Sequence, residues 1–149
     1  MALLGKTVLV VDDSSDDRFL MGRALRKLGS DLCVQFAASG EEAVAYLEGS
    51  GAYADRLHFP YPAFVITGLN MVQGDGFLVL RCVRSKAPAQ TPVMMLAEVD
   101  EPEHRRRALN LGANSYCIKP QSANGLVPLI STFFMATERG DGLESMRRT

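Results

Sequence analysis

Two adjacent carboxylates, Asp12 and Asp13, close an apolar run at residues 7–13, TVLVVDD, and are the first place to look for chemistry. A short continuous stretch of β-branched residues is what a parallel strand covered on both faces looks like. In open α/β sheets ligands bind at the carboxyl ends of such strands, so the acid pair stands where a cation or phosphoryl site would be built. The same pair also suits a strand running into an acidic turn that caps the next helix. Lys119, followed by Pro120 at the end of a later apolar run, is a cation at an equivalent position; a surface lysine is the plainer reading. His58 and His104 do not recur at metal-ligand spacing. Cys33, Cys82 and Cys117 are far apart without Cys-x-x-Cys spacing, which argues for buried thiols rather than a disulfide framework or zinc site. Arg105, Arg106 and Arg107 form the one basic cluster and suit the solvated face of a helix.

Composition bounds what these residues can serve. The 149 residues are 47% hydrophobic and 22% charged, ordinary for one globular domain with a real core. A net charge of -1 offers no general attraction to nucleic acid or anionic membrane. No apolar run approaches a membrane span, and Lys6 interrupts the short apolar N-terminus, so a cytoplasmic location is expected.

The elements that must position the acids alternate in type. After the first strand, Ser14 or Ser15 can cap a helix with Asp16 and Asp17 in its first turn and Leu20, Ala24 and Leu28 facing the core, stopped by Gly29. Residues 32–37 alternate as a strand nearer a sheet edge. Ser39 to Glu42 is a capping box opening a helix to about Glu48. A longer connection, 49–62, leads to a buried strand at 63–67. A helix from near Asp75 uses Phe77, Leu80 and Val83 inwardly and turns Leu78 and Cys82 toward solvent. The strand 93–96, a helix at 101–111 with the thin stripe His104, Ala108 and Leu111, and the strand 115–118 follow. The last helix, about 125–137, must start late because Pro128 is accommodated only near a first turn. Five strands alternating with five helices predict an α/β domain with a doubly wound, five-stranded parallel sheet, placing the acid pair, Gly68, Ala97 and Lys119 around one pocket. Residues 1–138 form this domain and 139–149 a tail, with no further domain expected.

With the acid pair, Lys119-Pro120 and the Leu69-Asn70-Met71 segment on the page, the chain resembles the receiver domains of two-component response regulators over about residues 7–137. The loop with Gly51, Tyr53, Ala54 and Asp55 looks like that of single-domain receivers paired with phytochrome-type kinases. The resemblance implies the flavodoxin-like receiver fold and a site in which the acid pair, a strand-end aspartate and a backbone carbonyl bind Mg²⁺, the aspartate accepting a phosphoryl group from a histidine kinase. Carried over, the metal residues are Asp12, Asp13 and Asn70, the pocket lysine is Lys119, and the switch positions are Ala97 and Tyr116; for Tyr116 plain core packing stands beside the switch role.

The acceptor position falls on Gly68, which has no side chain to attack phosphorus or ligate a metal. The strand-end hydroxyl position falls on Ala97, which cannot donate a hydrogen bond. The expectation is a degenerate receiver, no enzyme and with no catalytic residue, that acts by protein contact without aspartyl phosphorylation and requires no cofactor, Mg²⁺ binding weakly or not at all. The alternative is phosphoryl transfer to a non-standard site such as Asp75, itself more at home as a helix cap. Expected partners are a sensor histidine kinase or another signalling protein. A homodimer through the fourth helix, fifth strand and last helix is also expected, because Leu126, Val127, Leu129, Ile130, Phe133, Phe134 and Met135 exceed what one core-facing stripe can bury.

Overall fold

The computed structural model describes residues 6–86 and 90–139. The elements run β1 (Thr7–Val11), α1 (Ser15–Leu28), β2 (Cys33–Ala37), α2 (Gly40–Glu48), β3 (Phe64–Gly68), α3 (Gly76–Ser85), β4 (Val93–Ala97), α4 (Pro102–Asn110), β5 (Ser115–Ile118) and α5 (Ala123–Arg139), with a short 3-10 turn at Gly51–Tyr53. The sheet order is β2-β1-β3-β4-β5 and every pairing is parallel, the expected doubly wound arrangement. Because strand side chains alternate, β1 sends Leu9 and Val11 into a core under α2, α3 and α4, and Val8 and Val10 into one under α1 and α5. The chain reverses its winding between β1 and β3, so their carboxyl ends leave a crevice between diverging helices.

The helix starts follow the caps legible in the sequence. Ser14 Oγ accepts from Asp17 N at 3.2 Å, Ser39 Oγ from Glu42 N at 3.0 Å, and Asp75 Oδ1 from Leu78 N at 3.0 Å. Glu42 Oε1 returns to the Ala38 amide at 2.7 Å, completing the capping box. The 49–62 connection is tied down by Arg56, whose guanidinium donates to Tyr46 O, Leu47 O and Phe59 O and so satisfies carbonyls at the end of α2. Beneath it Phe59 meets Tyr46 and Tyr53 edge to face, and the two tyrosine rings lie tilted against each other.

Four expectations are corrected. α5 begins at Ala123, two residues early, and carries Pro128 in its interior; the missing N–H costs one intrahelical bond, offset by burial of Leu126, Ile130, Phe133 and Phe134. Those buried side chains also remove most of the surplus apolar surface of α5, because α5 packs alongside α1 and Phe64 meets both rings. Cys82 does not turn to solvent but packs half-buried against the α3 core, which pushes its thiol pKa up; Leu78 is likewise half-buried. Of the three thiols only Cys117 is fully buried, and Cys33, on the edge strand, is exposed. The proposed tail falls, from residue 140 on, outside the described residues.

Candidate functional site at the strand ends

The sheet brings most of the predicted residues together, but Ala97 and Tyr116 do not line the cavity. Asp12, Asp13, Gly68, Asn70 and Lys119 line one cavity of about 80 Å³ at the carboxyl ends of β1, β3 and β5, with Asp17, Glu98, Leu96 and Met71 completing its wall. Asp12 is 7% exposed. Its Oδ1 accepts from Ser14 N at 2.9 Å and its Oδ2 from Lys119 Nζ at 2.8 Å, while its backbone carbonyl accepts from Arg18 at 2.7 Å. Asp13 is exposed, and its Oδ2 lies 3.3 Å from the Val72 amide.

Lys119 is the centre of the pocket. Besides Asp12 it reaches Asp17 Oδ2 at 2.9 Å and Glu98 Oε2 at 3.0 Å. Burial by itself would lower the ammonium's pKa; hydrogen bonds to Asp12, Asp17 and Glu98 outweigh it and hold Lys119 above the ordinary lysine range. Asp17 and Glu98 were missed from the sequence as pocket residues. Asp17 carried a weak signal, since an acid in the first turn after a strand end can fold back over it; Glu98 carried only its place one residue beyond β4.

Gly68 occupies the end of β3, facing the acids. A Cβ built there would lie 3.5 Å from Asp12 Oδ2, 3.7 Å from Val11 O and 3.8 Å from Met71 Cγ, ordinary contacts in an unstrained backbone. The position is thus shaped to carry a side chain toward Asp12 and carries none. By contrast Gly76, at the start of α3, must be glycine: a Cβ there would overlap the Gly68 carbonyl. The intervening loop passes through positive φ at Gln73 and Gly74 and hands the Gly74 and Gln73 carbonyls to the first amides of α2, Gly40 N and Glu41 N, both at 3.0 Å.

The donor set fits Mg²⁺ poorly. Octahedral coordination wants several converging oxygens; Gly68 supplies none, one oxygen of Asp12 is held by the Lys119 ammonium, and among the described residues no group of three or more His, Cys, Asp or Glu could hold a metal ion. Ala97 is buried at the end of β4, its methyl offers no hydrogen bond, and its carbonyl accepts from Lys119 N at 2.8 Å. Tyr116 is fully buried, with no hydrogen-bond partner for its hydroxyl among the described residues and Arg105 stacked 4.8 Å over its ring. Burial raises the Tyr116 pKa. Asp75, the alternative acceptor, spends its carboxylate capping α3. His58 pairs with Asp55 at 2.6 Å in the loop and His104 lies against Phe77, so neither enters the pocket. Of the arginine cluster, Arg106 pairs with Glu103 whereas Arg105 and Arg107 lie over Tyr116 and Phe77, so two of the three cover the core rather than face solvent alone.

Comparison with known proteins bears on the family and the fold. The sequence model of the response regulator receiver domain matches residues 8–131. Among curated proteins, the chain is 34% identical over 113 residues to a gliding motility regulatory protein of Myxococcus xanthus, covering 75% of this chain and 13% of that one. It is 30% identical over 142 residues to a probable methanogenesis regulatory protein of Methanothrix harundinacea, covering 91% and 87%. The chain spans about half or less of the first three curated relatives it matches. Among solved structures, a response regulator in red light signaling of R. palustris superposes with a TM-score of 0.78 at 29% identity, covering 88% of this chain and 92% of that one. A phosphorylated cyanobacterial phytochrome response regulator also gives 0.78, at 26% identity over 89% and 95%. With the family model matching from within β1 through most of α5, the chain belongs to the response regulator receiver domain family.

Proposed function

We propose that this receiver is degenerate and acts in two-component signalling by protein contact, without aspartyl phosphorylation. The observation that carries this is Gly68: the β3 end has room for a carboxylate beside Asp12 and offers only hydrogen. The pocket's charge points the same way. Four carboxylates, Asp12, Asp13, Asp17 and Glu98, line the cavity with one ammonium, so a phosphoryl dianion would enter a field of its own sign with no carboxylate at position 68 to help recruit a compensating cation. Asp75 is a poor substitute acceptor because leaving its cap would unsatisfy the Leu78 amide. The receiver needs no cofactor on this reading, and Mg²⁺ binds weakly or not at all.

The likeness to a red-light and a phytochrome response regulator suggests a phytochrome-type sensor kinase as the partner class. Self-association through α4, β5 and α5 belongs to the same reading, now supported by Ile118 and Met135, 39% and 52% exposed, rather than by the buried aromatic pair of α5. The test is incubation of purified protein with acetyl phosphate and Mg²⁺, followed by intact mass. We expect no adduct; a stoichiometric, alkali-labile phosphoryl group would refute the reading, and its loss in Asp75→Asn would move the acceptor there.

A further inference from the structure

The edge of the sheet opposite β5 holds a feature the pocket does not use. β2 is the terminal strand. Cys33 N donates to Lys6 O and Ala37 O accepts from Asp12 N, so by alternation the N–H and C=O groups of Val34 and Phe36 point away from the sheet. Beside that edge a groove of about 250 Å³ runs between β2 and α1, lined by Ser15, Arg18, Phe19, Gly22, Arg26 and Phe36. Phe19 is 58% and Phe36 37% exposed, large apolar surface that no described element covers. Gly22 is the floor. A Cβ there would stand 3.2 Å from Phe36 Cζ, so the glycine lets the Phe36 ring lie against the helix backbone. Glycine within a helix costs ~0.5–1 kcal/mol relative to alanine.

Charge identifies the occupant. Among the described residues Arg26 makes no ion pair, and its guanidinium lies over the groove floor; Arg18 spends one N–H on Asp12 O, and Arg23 stacks 5.9 Å over Phe19. We propose that the free edge of β2 and its adjoining groove dock an extended acidic segment of a partner protein. The segment pairs with Val34 and Phe36, lays an apolar side chain between Phe19 and Phe36, and sets carboxylates against Arg18 and Arg26. A nucleic acid fits less well, because its phosphates would run onto Asp13, Asp16 and Asp17, acids at the start of the same helix. A second copy brings arginines against arginines across a twofold axis. This surface is independent of whether Gly68 blocks phosphorylation.

The test uses the full chain and two labelled peptides, one alternating Glu and Leu, the other Lys and Leu, in fluorescence anisotropy and amide chemical-shift titrations. The expected result is binding of the acidic peptide at least about tenfold tighter than the basic one, weakened by salt. Its shift changes should centre on Val34 and Phe36, and the affinity should fall by about tenfold or more in both Arg26→Glu and Phe19→Ser. These side chains are exposed, so the variants keep the fold, which circular dichroism checks. Equal binding of both peptides, shifts centred on α4 and β5, tighter binding of a labelled oligothymidylate, or self-association that Phe19→Ser abolishes would each overturn the proposal.

Discussion

Replacing Gly68 with aspartate tests the site at its defective position. The new Cβ meets Asp12 Oδ2 at 3.5 Å and no backbone atom closer than 3.7 Å, and the φ of Gly68 is not in the left-handed region, so steric and backbone costs are small. The cost is electrostatic. Two carboxylates about 4 Å apart repel by ~4 kcal/mol at an effective dielectric of 20, and Lys119, already on Asp12, returns a comparable attraction. A net destabilisation of ~1–2 kcal/mol without divalent cation is therefore expected. Mg²⁺ should reverse it, because three acids at one strand end would offer the oxygens the parent lacks. At about 100 times its Kd, Mg²⁺ stabilises by ~2.7 kcal/mol, which at ~2–4 °C per kcal/mol raises the mutant's Tm by ~5–11 °C. The parent should move by less than ~2 °C under the same conditions. Thermal melts with and without Mg²⁺ decide the matter. If parent and mutant shift alike, Gly68 is not what limits cation binding and the reading of the pocket fails. Beryllofluoride extends the test: in Gly68→Asp amide shifts should stay within the pocket, and only with Ala97→Thr added should they spread to Tyr116 and Arg105, since a hydroxyl at β4 then supplies contacts that differ between states. Spread in the single mutant would refute that division of labour.

Three further outcomes are expected. Gly76→Ala should destabilise by ~2–3 kcal/mol despite alanine's better helix propensity, because its Cβ meets the Gly68 carbonyl; a neutral or stabilising result in denaturant melts would contradict the close approach. Burial, with the Glu42 carboxylate beside Tyr53, pushes Tyr46 and Tyr53 up to about 12 from 10.0, so the unfolded chain loses those protons first and stability should fall as pH rises from 10 toward 12. Phenolate absorbance should accordingly rise together with loss of circular dichroism, and half-titration by pH 10 in a folded protein would refute this. Met135→Asp should weaken any dimer seen by sedimentation while leaving the fold intact, whereas Phe134→Ala, at a site 2% exposed, should cost ~3–5 kcal/mol of stability; unchanged association in the former would remove α5 from the interface.

Much of the site was local and therefore legible. The β-branched run into Asp12-Asp13, the caps at Ser14, Ser39 and Asp75, and the strand-end positions of Gly68 and Lys119 each depend on a few consecutive residues whose side-chain period or hydrogen bonding fixes the element. Chain order with right-handed crossovers then brings those ends together, since parallel strands must all finish at the same edge. What the sequence could not specify were distances between elements. That Lys119 takes Asp17 and Glu98 as well as Asp12 depends on where α1 and the β4 turn settle, contacts up to 107 residues apart. The fate of the apolar α5 likewise turned on packing: a list of large side chains cannot distinguish a surface seeking a partner from one that α1 and Phe64 already cover. Cys33 and Cys82 traded expected places for the same reason, because β2 lies at an open edge while α3 sits against α2, and burial belongs to neighbours rather than to residue type.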